Sequence, residues 1–234
     1  MTWVPIVGKS FSAVDFDAYV RSLEWPEWRP SFVVLHNTAE PSLAQRPNGL
    51  SLENINGLAT FYQNKQPPWH AGPHLFVDDH QIWVFTPLTV PGVHSPSWNK
   101  FALGVEMLGD YETEAFDSGR GLEVQTNAVA AIASLSTALG IDPSTMRLHR
   151  EDPNTTHACP GKNVNKTSFI QAVKARIAAS EAAIRLASVP TSYTVRDGDT
   201  VYSIARALSV EQSVVLAANN GSSVIRPGQV LAIG

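Results

Sequence analysis

The 234-residue chain has a single cysteine, Cys159, so no disulfide within the chain can stabilise its fold. Stability has to come from packed cores, and 44% hydrophobic residues against 16% charged residues suit a globular protein that builds them. The net charge of -4, with no basic stripe along the sequence, argues against nucleic acid as the main partner. No run of about 18 apolar residues occurs, so we expect no insertion into a membrane.

A short stretch of small and polar residues around a proline, SVPTS at 188–192, has the composition of a linker. We therefore predict a first domain over residues 1–185, a linker over 186–191 and a small second domain over 192–234. This division agrees with the usual sizes of domains in a chain of this length.

Hydrophobic periodicity predicts a mixed α/β fold for the first domain. Ser12 is placed to cap the first helix, and Gly140 stands where a helix end favours a left-handed residue. The segment KFALGVEMLG alternates as a strand, with apolar residues from Phe101 onward on one face and Gly104 and Glu106 on the other. The predicted helices cover residues 11–25, 51–65, 125–140 and 168–188, and the predicted strands cover 32–35, two segments within 74–88, 100–109 and a short one within 145–151.

The second domain reads as strand, helix, helix, strand. SYTVRD and RPGQVLAIG have the pattern of strands, and between them lie VYSIARALS, with Thr200 as its N-cap, and VEQSVVLAAN, which ends at an Asn-Asn-Gly turn. We therefore predict a compact βααβ module that is stable without disulfides.

This module resembles the LysM family over its whole length, through Tyr-x-Val, Gly-Asp-Thr, Ser-Ile-Ala and Pro-Gly-Gln-x-Leu. The resemblance implies binding of N-acetylglucosamine-containing glycan, such as that of peptidoglycan, in a shallow groove. The positions that match the groove loops are Gly198, Asp199 and Thr200 on one side and Ile225 with Pro227 on the other. Turn formation is the alternative explanation for these residues.

Four residues with metal-binding side chains stand at strand ends or in loops: His36, His149, His157 and Cys159. A catalytic zinc site uses three such ligands and leaves a fourth position open. Taken singly, a histidine usually just makes a hydrogen bond, and a lone cysteine is usually a small apolar residue. His157 and Cys159 are two positions apart, so in an extended segment both point the same way and either could be a ligand.

Four segments in this order, VVLHNTA, HLFVDDHQIWVFTPL, ALGVEMLGD and LHREDPNTTHACPG, resemble the zinc-dependent N-acetylmuramoyl-L-alanine amidases. That superfamily includes phage endolysins, bacterial anhydro-muropeptide amidases and peptidoglycan recognition proteins. The likeness covers about residues 25 to 180 by motif order. It implies a central mixed β-sheet flanked by helices, and one zinc ion per chain held by His36, His149 and Cys159.

The same resemblance implies roles for residues around the metal. Glu106 matches an acid that orients or deprotonates the attacking water, and His157 matches a basic residue that stabilises the oxyanion. We expect His74 and His94 to line the cleft or brace its walls and to contact the substrate. Some members carry a catalytic tyrosine just before the residue that matches His74, whereas this chain has Pro73 there. This difference argues against a tyrosine-assisted mechanism and favours Glu106 as the catalytic residue.

The expected activity is hydrolysis of the amide between N-acetylmuramic acid and the L-alanine of the stem peptide, by an enzyme that the LysM module holds on peptidoglycan. The start MTWVPIVGKSFSAVDFD has neither a basic nor an apolar leader region, which predicts synthesis in the cytoplasm without a signal peptide and release through a holin-type pore, as for an endolysin.

Two alternatives belong to other functional classes. A non-catalytic peptidoglycan-binding protein of the same fold would bind the wall without turnover. A cysteine peptidase or amidase would use Cys159 as nucleophile, but such a thiol normally sits at a helix N-terminus, whereas Pro-Gly follows this one.

Overall fold

The structure, a computed structural model, describes residues 2–25 and 27–233. The chain divides into two compact units, Met1–Ile177 and Ala178–Gly234. This division falls inside a helix, a few residues before the linker expected at 186–191, so the predicted domain boundaries remain predictions.

The first unit contains a six-stranded mixed sheet in the order β1-β4-β3-β5-β2-β6. The three neighbouring pairs β3/β5, β5/β2 and β2/β6 are parallel, and β4 pairs antiparallel with both β1 and β3. This confirms the predicted mixed α/β class with a central sheet. The strands are β1 (Lys9–Phe11), β2 (Phe32–Asn37), β3 (Leu75–Val77), β4 (Ile82–Val84), β5 (Ala102–Met107) and β6 (Arg147–Leu148).

Helices flank this sheet, and helix α3 lies against β3, β4 and β5 while α1 packs on α3. As predicted, the Ser12 side chain caps α1 by accepting a hydrogen bond from the Asp15 amide. Among the described residues no helix is both long and apolar enough to cross a bilayer. The helices of this unit are α1 (Ala13–Ser22), α2 (Leu52–Gln63), α3 (Gly119–Leu139) and α4 (Lys166–Ala187), of which α4 continues into the second unit, and short 3₁₀ turns cover Pro143–Thr145 and His149–Glu151.

Three local expectations differ from the structure. Helix α3 begins at Gly119, six residues before the predicted start, because Gly121 has no side chain to strike the backbone of Ala115 and the first turn can pack there. Phe101 lies just before β5 and is 53% exposed, so it is not part of the apolar strand face. The edge strand β1 was not predicted, because its three residues carry no periodic signal.

The second unit has the predicted βααβ order, in which β7 and β8 pair antiparallel. Thr200 caps α5 by accepting a hydrogen bond from the Ser203 amide. A separate small core, with Val201, Ile204 and Leu231 fully buried, holds the elements together. These elements are β7 (Ser192–Thr194), α5 (Val201–Ala207), α6 (Gln212–Ala218) and β8 (Val230–Ala232).

The capping box of α2 provides a test of local stability. Ser51 accepts from the Asn54 amide, and the Asn54 side chain accepts from the Ser51 amide. Replacing Ser51 by alanine should lower the free energy of unfolding of the first unit by about 1 kcal/mol. All six tryptophans lie at or before residue 98, so their fluorescence during urea unfolding reports on this unit.

The matched control is Ser118→Ala, because Ser118 also precedes a helix with extended backbone but makes no side-chain capping bond. Its effect should stay within about 0.5 kcal/mol. Equal losses for the two variants would contradict the proposed contribution of the capping box.

Candidate active site

The candidate site begins as a row of polar residues at the carboxyl ends of three adjacent parallel strands. His36 on β2 lies directly beside Glu106 on β5. Leu35 pairs with Leu148 of β6, so His149, the next residue, emerges beside His36. Because parallel strands end at the same edge of a sheet, the register alone brings these three side chains together.

Cys159 reaches this row on the loop after β6. The backbone N–H of Asn37 donates to Cys159 Sγ at 3.3 Å, and the Arg150 amide donates to the Cys159 carbonyl at 2.8 Å. Arg150 also donates from its guanidinium to the Gly161 carbonyl at 2.6 Å. Gly161 has φ +98°, and a Cβ there would strike the backbone of Tyr111. These contacts hold the thiol against the end of β2.

One donor atom from each of His36, His149 and Cys159 lies within 4.8 Å of the other two. His157 is not in this group. Its side chain is exposed, and its ring stacks on that of His149 at a centroid distance of 5.5 Å. Of the two alternatives for a third ligand, the geometry of the described residues favours Cys159.

A buried hydrogen-bond chain orients His36. The Ala102 carbonyl can only accept, so Nε2 of His94, at 3.2 Å, is the donor, and Nδ1 of the neutral ring accepts. Nε2 of His36 lies 3.1 Å from that Nδ1 and therefore donates. Nδ1 of His36 is left without a hydrogen and is the nitrogen free to bind a metal.

Gly104 makes room for this chain. It shares a strand face with Glu106, and the His94 ring lies directly over it, so that a Cβ at Gly104 would be 2.7 Å from His94 Cδ2. Real Cβ atoms are essentially never so close to another heavy atom. Because Gly104 has no side chain, it leaves a space on the same strand face as Glu106, and the His94 ring occupies that space.

Asp152 joins the loop that carries His94 to the segment after His149. Its buried carboxylate accepts hydrogen bonds from the hydroxyls of Ser95 and Ser97 and, at 3.0 Å, from the Ser97 amide. Burial alone would raise the pKa of Asp152, but these hydrogen bonds lower it to about 2. The carboxylate therefore stays charged and keeps the two loops in register.

His74 does not reach the cleft. Its ring is fully buried, donates to the Val90 carbonyl at 3.0 Å and accepts from the Gly104 amide at 3.0 Å. It also stacks on Trp28, with ring centroids 5.7 Å apart. Because both nitrogens are used and no surface is accessible, the expectation of substrate contact is corrected: His74 braces the sheet behind the site. His94, also buried, borders the cleft at its floor.

Burial determines the charge states at the site. It lowers the pKa of His36 well below its usual range, with help from His94 and His149, so the imidazole is neutral and can act as a ligand. It raises the pKa of Glu106 from 4.5 to about 8. It also raises the pKa of the Cys159 thiol, and the nearby Glu106 adds to this.

The raised thiol pKa bears on the alternative of a cysteine nucleophile. Nucleophilic cysteines have a lowered pKa, in electropositive surroundings or at a helix N-terminus. Cys159 instead follows a loop and faces the acidic Glu106. A bound cation would reverse this balance by deprotonating the thiol outright. The surroundings of Cys159 therefore suit a metal ligand and not a free nucleophile.

The row lies on the floor of a cleft of about 480 Å³. The carboxyl-terminal part of α2, with Trp69, forms one wall of this cleft, and the acidic side chains of Glu40, Asp110 and Glu112 also line it. The α2 wall was not predicted as part of the site, because helical periodicity assigned its residues to core and surface only. The available signal was FYQNKQPPW, which clusters three aromatic residues around a lysine.

Pro73 lines the cleft where the resemblance noted above would place a tyrosine. The ring of Tyr62 fills the neighbouring space, since a Cβ at Gly72 would be 3.0 Å from its Cε2. Burial, together with the charge of Glu106, raises the pKa of Tyr62 well above its usual value. Its phenol therefore keeps its proton, and Tyr62 is among the residues that line the cleft.

In the second unit, four of the five positions that match the groove loops have structural roles. Gly198 has a positive φ of 83°, and the Asp199 carboxylate accepts from the Tyr193 hydroxyl at 3.0 Å and the Arg196 amide at 2.7 Å. Thr200 caps α5, and Ile225 packs against the small core. Contact with glycan stays a prediction for these residues.

Comparison with known proteins identifies the class of protein. Residues 27–162, more than half of the chain, match the N-acetylmuramoyl-L-alanine amidase family, and residues 193–234 match the LysM domain. The chain belongs to the N-acetylmuramoyl-L-alanine amidase family. It is a peptidoglycan hydrolase that carries a LysM domain for binding peptidoglycan. Both resemblances seen in the sequence are confirmed.

Among solved structures the chain is similar to an endolysin, the N-acetylmuramoyl-L-alanine amidase LysCS from Clostridium intestinale URNW, at 20% identity over 76% of this chain and 91% of that chain, with a TM-score of 0.49. It is also similar to Drosophila PGRP-LB, at 21% identity over 61% and 81% of the two chains, with a TM-score of 0.48. A mutant endolysin from Bacillus subtilis gives 23% identity over 62% and 86%, with a TM-score of 0.46. No curated protein matches the chain.

The hollow at Gly104 can be tested by filling it. Gly104→Ala should displace His94, lower the free energy of unfolding by about 1–3 kcal/mol and weaken zinc binding at least tenfold. Chelator competition measures the affinity. Gly57→Ala on α2 is the control, since no atom lies within 4 Å of the added Cβ, and it should leave zinc binding unchanged. Unaltered zinc affinity in Gly104→Ala would contradict the orienting role of His94.

The raised pKa of Glu106 predicts a pH effect on the metal-free protein. Between its usual pKa of 4.5 and about 8, native Glu106 keeps a proton that the unfolded chain has released, so this residue makes stability fall as pH rises. With chelator present, Glu106→Gln should therefore gain stability relative to the parent protein between about pH 5 and pH 8, on the order of a few kcal/mol. Parallel stability curves for the two proteins would show that the carboxyl is not desolvated.

Proposed function

We propose that this protein is a zinc-dependent N-acetylmuramoyl-L-alanine amidase that hydrolyses the amide between the lactyl group of N-acetylmuramic acid and the L-alanine of the stem peptide. The observation that carries the proposal is the convergence of His36, His149 and Cys159 within 4.8 Å of one another, on the floor of a cleft that also holds Glu106. The proposed cofactor is one zinc ion per chain.

The donor set fits this metal. Two imidazoles and one thiolate match the three-ligand sets of catalytic zinc sites, which leave the fourth position open to the cleft. Two of the three ligands also have outer support: His36 from His94, and Cys159 from the Asn37 amide. A zinc ion held there would polarise the scissile carbonyl and lower the pKa of water to about 7.

Glu106 is the proposed general base. It lies beside His36 in the sheet register, and its raised pKa of about 8 in the metal-free protein brings it near the working pH range of an acid–base catalyst. The carboxylate takes the proton from the attacking water and passes it to the nitrogen of the departing L-alanine.

His157 is the proposed stabiliser of developing charge on the carbonyl oxygen. It lines the cleft with its ring stacked on His149 and is exposed enough to meet a bound substrate. A hydrogen bond to an oxyanion is stronger in the transition state than in the substrate, which is what catalysis requires.

The LysM domain is proposed to hold the enzyme on N-acetylglucosamine-containing glycan through the loops that contain Gly198, Asp199, Thr200 and Ile225. Tethering raises the concentration of substrate at the catalytic unit. Such an anchor serves an enzyme that works on the intact, insoluble wall, so we infer an endolysin-type role. Synthesis in the cytoplasm and release through a holin-type pore are part of this proposal.

End-group analysis of purified peptidoglycan tests the activity. The zinc-loaded protein should release new N-terminal alanine without new reducing sugar. His36→Ala and Cys159→Ala should abolish the release, and Glu106→Gln should lower kcat about a hundredfold or more while zinc stays bound. All three variants should still pellet with the wall through LysM.

His80→Ala is the control, since this exposed histidine lies outside the cleft and should be replaceable without effect. Hydrolysis that survives both ligand substitutions would refute zinc dependence. Wall binding without new end groups from the parent protein would instead leave a non-catalytic peptidoglycan-binding protein.

A further inference from the structure

A lysine lies on the aromatic wall of the cleft. The Lys65 ammonium sits 4.4 Å from the ring centroid of Trp69 and 4.9 Å from that of Phe61. The rings of Tyr62 and Trp69 stack in parallel at 5.0 Å, which makes the platform rigid. Cation–π contacts of this kind fix the position of a charge without neutralising it.

The charge of Lys65 has no counterion in the part of the chain that the structure describes. No ion pair within 4.0 Å involves Lys65, although six other pairs meet that limit. Glu112, which also lines the cleft, is already paired with Lys162 at 3.2 Å. Lys65 is therefore held in place with its charge available to a ligand.

Lys65 is also the one lysine or arginine among the described residues that line the cleft. The other charged side chains there are acidic: Glu40, Asp110 and Glu112. An anionic group on a bound molecule would be repelled by these carboxylates at most positions. Apart from the zinc ion proposed at the floor, Lys65 on the α2 wall is the positive charge that such a group meets in the cleft.

We propose that Lys65, on its aromatic platform, is a subsite for a carboxylate of the stem peptide and makes the enzyme prefer stem peptides that keep this carboxylate over those in which it is amidated. The inference rests on the proposed function, which supplies the substrate class. A carboxyl group on the residue after L-alanine would lie close to the scissile amide, and amidation would remove its charge. Lys65 would bind this carboxylate through an ion pair, with no covalent bond formed or broken.

The test compares two N-acetylmuramoyl tripeptides that differ only in a carboxylate or a carboxamide on the second residue. Binding is measured by calorimetry in the zinc-loaded Glu106→Gln protein, so that no turnover occurs. The carboxylate form should bind about tenfold more tightly, as for a hydrogen-bonded ion pair. Adding Lys65→Gln should remove this preference by weakening only the carboxylate form, and Lys65→Arg should retain it.

Lys9→Gln, at an exposed position on β1 outside the cleft, is the matched control and should keep the preference. Any contribution of LysM is the same for both peptides and cancels in the ratio. Equal binding of the two peptides, or an equal loss of both in Lys65→Gln, would overturn the subsite. Failure of the proposed function appears separately, as absence of new N-terminal alanine from the parent enzyme.

Discussion

The candidate site depends on the register of three parallel strands. Pairing of His36 with Glu106, and of Leu35 with Leu148, places the proposed general base and two of the proposed metal ligands side by side at one sheet edge. A shift of one residue in either pairing would turn a side chain to the opposite face. The buried apolar residues that fix the register, such as Val105, thus also fix the geometry of the chemistry.

Around this row the protein uses buried polar groups in place of disulfides. His94 is hydrogen-bonded to the Ala102 carbonyl and in turn orients the His36 ring. Asp152 links the loop that carries His94 to the segment that follows His149. A buried polar group without a partner costs free energy, whereas a fully hydrogen-bonded network permits few side-chain conformations. Such a network therefore favours one arrangement of the proposed ligands. Because the fold needs no disulfide, the thiol of Cys159 can serve as the proposed metal ligand.

Much of the fold and of the proposed ligand set could be predicted from the sequence, because the alternation of apolar residues and the spacing of motifs are local patterns. The strand bearing Glu106, the cap at Ser12 and the βααβ module all follow from patterns within about ten residues. The hollow at Gly104 and the burial of His74 depend on contacts between distant segments, which periodicity does not report. Lys65 was missed for the same reason, since only the folded chain brings the end of α2 over the cleft.

Cobalt substitution followed by absorption spectroscopy tests the central claim most directly. If His36, His149 and Cys159 form one four-coordinate site with an open position, cobalt should bind once per chain with a thiolate charge-transfer band in the near ultraviolet. Cys159→Ala should lose that band, and His157→Ala should keep it. A band that survives Cys159→Ala, or that disappears with His157→Ala, would contradict the proposed ligand set.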